Sequence, residues 1–184
     1  MKKKYVKIVI IISSIILLLV AASVCTFLVI QRQKHIAELE QVELPEIVFK
    51  YSLINKYNNY TTRIIDKYGN VYLLKGTKKR EEIFSDYNSG ILQQKWTYLG
   101  QIDVIELKEK YCLFLELKNT PGYGFFYDED VPKGIGNRVN WYGYYYENGK
   151  IESFIFYERE YVAPNVTDER GKELAGWVSA AVYD

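Results

Sequence analysis

The sequence predicts an α+β fold: an antiparallel sheet built from hairpins with two or three packed helices, preceded by one N-terminal transmembrane helix. Three observations carry that expectation. Residues 8–30, IVIIISSIILLLVAASVCTFLVI, hold no charge and no proline. Asn148-Gly149 lies between two aromatic runs, the strongest short hairpin signal. Two later segments, 102–119 and 166–184, repeat apolar residues at helical spacing.

At 1.5 Å rise per residue the apolar run extends about 34 Å, enough for a hydrocarbon core of about 30 Å. Lys2, Lys3, Lys4 and Lys7 precede it, whereas Arg32 and Lys34 beyond it are soon diluted by Glu38, Glu40 and Glu43. The positive-inside bias therefore predicts a signal anchor with its N-terminus in the cytoplasm and the rest of the chain outside, at the cell membrane. Two processing routes compete at Cys25. A lipobox needs a small residue just before the cysteine and usually Leu three before, where Val24 and Ala22 stand. Ala21 and Ser23 suit leader-peptidase cleavage after Ser23, but the apolar run then continues through 24–30, whereas a cleaved leader turns polar. The uncut span is the better reading, with Cys25 a thiol inside it.

These features divide the chain into a basic tail (1–7), a span (8–30), a juxtamembrane stalk (31–45) and one extracytoplasmic domain (46–184). The polar stretch 31–44 is expected to prolong the helix until Pro45 stops it. The remaining roughly 140 residues suffice for one core. Six of the 24 Lys and Arg precede residue 37 and none of the 23 Asp and Glu does, so the rest carries a net charge of −5. Such a domain repels a phosphate backbone, and no basic stripe offsets this, so nucleic acid is excluded as a partner. Only Tyr5 of the 18 tyrosines lies before residue 51, a bias toward strand content in the domain.

Within the domain, 46–54 reads as a strand, and 60–76 as two strands around Asp-Lys-Tyr-Gly-Asn. Residues 78–96 read as a short helix ending near Gly90, then an irregular link. In 102–119, Asp103 and Glu106 have capping-box spacing, and Val104, Leu107, Tyr111 and Phe114 mark one face. That segment is read as a helix with Cys112 buried on it, although its YCLFLEL end also suits a buried strand. Residues 120–138 read as a Gly/Pro-rich loop with one short strand at 123–127. Pairing outward from Asn148-Gly149 sets Tyr146 opposite Ile151, Tyr144 opposite Ser153 and Tyr142 opposite Ile155. Gly143 then faces Phe154, which is expected to cover it. Trp141, Tyr145, Phe154 and Phe156 share the other, core-forming face. In 166–184, Thr167 and Arg170 bracket a helix start, and Leu174, Trp177, Val178 and Ala181 form its apolar stripe.

The basic leader and span, IIDKYGNVY (64–72), IDVIELKEKY (102–111) and GKELAGWV (171–178) together resemble small membrane-anchored or lipoprotein-like surface proteins of Clostridia and related low-GC Gram-positive bacteria. The resemblance implies anchoring at the cell surface and brings no settled activity with it.

Chemistry is sparse. His35 is the one histidine, so the domain offers no Ser-His-Asp or Cys-His site and no His-ligated zinc. No cofactor, metal or catalytic set is expected. GYGFF (122–126) and GIGNR (134–138) lack the third glycine and the strand-to-helix setting of a nucleotide loop. Tyr142, Tyr144 and Tyr146 are the candidate binding residues: a stacking platform for glycans or a partner, or else a face covered by the C-terminal helix. Three functions remain open. The favoured one is a non-catalytic domain binding a protein or cell-wall partner. The others are a histidine-independent enzyme using carboxylates such as Asp128, Glu129 and Asp130 on a surface polymer, and an immunity-like or signalling accessory protein.

Overall fold

The computed structural model describes residues 2–54, 60–75, 80–90, 95–121, 123, 138–160 and 168–183. Among them run α1 (Lys2–Glu40), β1 (Ile47–Ile54), β2 (Tyr60–Asp66), β3 (Asn70–Lys75), α2 (Arg80–Asn88) and β4 (Thr97–Gln101). Then follow α3 (Val104–Asn119), β5 (Arg138–Glu147), β6 (Lys150–Glu160) and α4 (Glu169–Tyr183). The chain forms two compact units, Met1–Val42 and Glu43–Asp184.

The first unit is α1. Its Ile15–Glu40 portion has an 18-residue window of mean hydropathy 2.3, none of it buried, and the helix is long and apolar enough to cross a membrane. Two of its hydroxyls bond back within the helix: Ser23 Oγ donates to Leu19 O at 2.8 Å and Thr26 Oγ1 to Ala22 O at 2.9 Å. Such back-bonding satisfies these two donors on an otherwise apolar surface. The helix ends at Glu40, ahead of Pro45, in a turn closed by Gln41 N to Glu38 O and Val42 N to Leu39 O.

The second unit is α+β. Its six strands form one sheet in the order β4-β3-β2-β1-β5-β6, with every pairing antiparallel. The β5–β6 turn has Asn148 at φ 51° and Gly149 at φ 73°, the two positive values a type I′ turn requires. The turn fixes the register, and Tyr146, Tyr144 and Tyr142 face Ile151, Ser153 and Ile155 as expected. A bulge follows between Trp141 and Tyr142, which brings Tyr157 opposite Trp141. The Tyr123 hydroxyl donates to Phe156 O at 2.5 Å there, and a side chain at Gly171 would overlap that hydroxyl. At the β2–β3 turn, Asp66 accepts from Tyr68 N and Asn70 N, both at 2.9 Å, and from Asn70 Nδ2 at 3.0 Å.

Helices cover both faces of the sheet. On one face Phe49 meets Phe114, Phe156 and Trp177 edge-on at 5.9, 5.8 and 6.1 Å. Through these rings α3 and α4 bury that face, and the register continues it through Ile65 and Val71. Gly143 belongs here. A Cβ at this position would overlap the ring of Phe114, so α3 covers the glycine where Phe154 of the neighbouring strand was expected to. On the opposite face Ile47, Ile64, Tyr72 and Tyr144 form a second core with Ile83 of α2 and Trp96, flanked by Phe84 and Tyr87.

The helices follow their sequence signals with three differences. α3 begins as its cap predicts, Asp103 accepting from Ile105 N at 2.8 Å and Glu106 N at 3.0 Å. It buries Leu107, Tyr111, Phe114 and Leu117, while Val104 and Cys112 are only partly buried. α4 buries Gly171, Leu174, Ala175 and Val178, leaving Trp177 and Ala181 at its margin. Its start is capped by Asp168, whose Oδ1 accepts from Arg170 N at 2.9 Å; Thr167 lies outside the described residues. Beyond the link read within 78–96, residues that no expectation covered form β4, an edge strand exposed along most of its length.

Candidate functional site

The three candidate tyrosines share a sheet face and have different surroundings. Tyr144 is 1% exposed and meets Phe84 of α2 edge-on at 5.1 Å. Its ring therefore offers no open face for stacking, and the cover is α2, while α4 lies on the opposite side of the sheet. Tyr142 is partly buried, with Lys50 Nζ 4.1 Å from its ring centroid and Asn140 Nδ2 donating to its hydroxyl at 3.2 Å. Tyr146 is 43% exposed and donates to Glu46 Oε2 at 3.1 Å. Burial, then that hydrogen bond to a carboxylate, pushes its phenol up to about 12. The buried Tyr144 between them breaks any continuous platform. Asp128, Glu129 and Asp130 lie outside the described residues, as do 124–127 and 134–137 of the Gly-rich loop.

A different place in the domain has the shape of a site. A cavity of about 430 Å³ opens between the end of β4, the first turn of α3 and the last turns of α4. Leu99, Gly100, Gln101 and Ile102 form one wall, Glu106 stands at one end, and Trp177, Ala180 and Ala181 form the other wall.

Local sequence explains the shape. Val71 pairs with Gly100 and Tyr72 with Tyr98, so Leu99 is an extra residue that bulges the edge. Gly100 follows and lines the cavity, and a Cβ there would meet nothing within 4 Å. The strand exit is held by Ile102 N donating to Gly69 O at 3.0 Å. Gly69 has φ 81°, and a Cβ on it would overlap Ile102 O, so this contact requires glycine twice over.

The polar end is built by two helices. Trp177 Nε1 donates to Glu106 Oε1 at 2.6 Å. Glu106 therefore does not complete the capping box, and its carboxylate turns toward α4. Lys110, one helical turn on, is drawn away to Glu173 Oε1 at 3.0 Å. Sequence reasoning assigned Glu106 to a cap and Trp177 to a core stripe; no local pattern joins residues 71 positions apart.

Chemically the cavity combines one carboxylate, one indole and short apolar walls. Among its described lining residues Glu106 is the one ionisable group, so the carboxylate pair needed for glycoside hydrolysis is not assembled there. Among the described residues no group of three or more His, Cys, Asp and Glu could hold a metal ion. No protein-family model matches the chain, no curated protein matches its sequence, and no solved structure matches it.

Proposed function

We propose that this chain is a single-pass membrane protein, N-terminus in the cytoplasm, whose extracytoplasmic α+β domain binds a protein or cell-wall partner without catalysing a reaction on it. The length and apolar surface of α1 support the anchor, and the lysines before it support the orientation. The observation that carries the binding reading is the cavity at Glu106 and Trp177: concave, largely apolar, with a polar group fixed by a hydrogen bond. A binding surface needs such a fixed group for orientation.

Crosslinking in native membranes tests the reading with full-length protein and a Gly100→Phe variant that fills the cavity. Wild type is expected to retain a defined partner that the variant loses. Equal capture by both, or turnover of a surface polymer by purified protein, would overturn it. Orientation is read from protease digestion of intact cells, which should remove the domain and spare the span.

A further inference from the structure

We infer that the cavity takes a lysine or arginine side chain, carried on an extended segment of a protein partner. This rests on the binding reading above and adds the chemistry of what enters.

Charge is the first argument. Glu106 is exposed, and among the described residues no cation pairs with it. Its hydrogen-bond donor there is the neutral indole of Trp177, which holds Oε1 and leaves Oε2 for a charged donor. The chain beyond residue 36 carries a net charge of −5, so a basic segment is also favoured at longer range.

Shape is the second. Leu99, Ile102, Ala180 and Ala181 provide an apolar channel suited to the methylene stem of a long basic side chain, while its charged head reaches Glu106. The Trp177 ring beside the carboxylate adds attraction for the same cation.

The third argument is the backbone. β4 is an edge strand, and no described element pairs with its outer side. An extended segment can lie along it, and Gly100 leaves room for a side chain to turn inward. The bulge at Leu99 shortens any ladder that could form, so the inserted side chain is the principal anchor.

The test uses full-length protein in detergent, with the Trp177 indole N–H resonance as readout. Probes are a short strand-forming peptide with a central lysine, the same peptide with norleucine, and n-butylamine. The lysine peptide is expected to shift the resonance and to bind about tenfold more tightly than the norleucine peptide. Glu106→Gln, which keeps an acceptor for the indole, should erase that difference, and Gly100→Phe should abolish binding of both peptides. Equal affinity of the two peptides, or no shift, overturns the inference. Butylamine binding as tightly as the lysine peptide overturns the extended segment. A change of oligomeric state in Gly100→Phe without peptide assigns the cavity to a second copy and overturns it too. Partner capture that depends on Gly100 without any lysine preference sinks the cation alone; capture indifferent to Gly100→Phe sinks the binding reading itself.

Discussion

The ring of Phe114 occupies the space that a side chain at position 143 would fill. A helix residue and a strand glycine are thus matched as knob and socket. The match brings α3 close enough for Phe114 to meet Phe49 and Phe156, both at 5.9 Å.

Gly143→Ala is therefore expected to destabilise the domain by about 1–3 kcal/mol through overpacking. Phe114→Ala should cost about 3–5 kcal/mol, because the same socket is left empty. Chemical denaturation measures both. Gly143→Ala combined with Phe114→Ala should cost less than the sum of the two single changes. Strict additivity would show that the two sites are not in contact.

Asp86 Oδ2 accepts from the indole of Trp96 at 3.2 Å inside the second core. Asp86→Ala leaves that N–H buried without an acceptor, at a cost of about 1–3 kcal/mol. Loss of near-ultraviolet circular dichroism should accompany the fall in stability. An unchanged unfolding midpoint would refute the role.

Asp66 is buried at the β2–β3 turn, and burial raises its carboxyl above 3.8, more than its hydrogen bonds from Asn70 and Tyr68 lower it. The folded state thus holds this proton more firmly than the unfolded chain. Its contribution is full below 3.8 and is lost as pH rises through the raised native value. The stability of wild type minus that of Asp66→Asn should therefore fall with rising pH across this window. Unfolding curves at several acidic pH values decide it, and a difference that grows with pH would reject the assignment.

Partial burial, and then the neighbouring Glu116 and Glu109, push the Cys112 thiol up. Less thiolate forms, so alkylation of the native protein at about pH 8 should run roughly tenfold slower than in denaturant. Equal rates would show an open, unperturbed thiol. Mass spectrometry of the modified peptides separates Cys112 from Cys25.

What could be foreseen depended on how local the cause was. Asn148-Gly149 dictates its own turn, and the turn dictates the register, so the pairing of Tyr146 with Ile151 follows from adjacent residues. The cap of α3 is equally local, since Asp103 acts on backbone two and three residues ahead. Neither argument reaches across the sheet. Whether Phe154 or Phe114 would fill the place above Gly143 depends on how α3 docks, and strand pattern says nothing of that. β4 gave little signal because its residues are mostly exposed and its register is broken by the bulge at Leu99. The site was illegible for the same reason: Glu106 and Trp177 each have a sufficient local explanation, and only the packing of α3 against α4 gives them a common one.

The bulge in the β5–β6 pairing has a consequence for how copies of this domain can meet edge to edge. A long strand with one bare flank invites recruitment into fibres. Here the acceptor at Phe156 is already occupied by the Tyr123 hydroxyl, and Gly171 gives that phenol its berth. A neighbour approaching along β6 meets an acceptor that a donor of the chain itself already engages. The fold thus treats its two flanks unequally, with a sentinel on β6 and an accessible margin on β4.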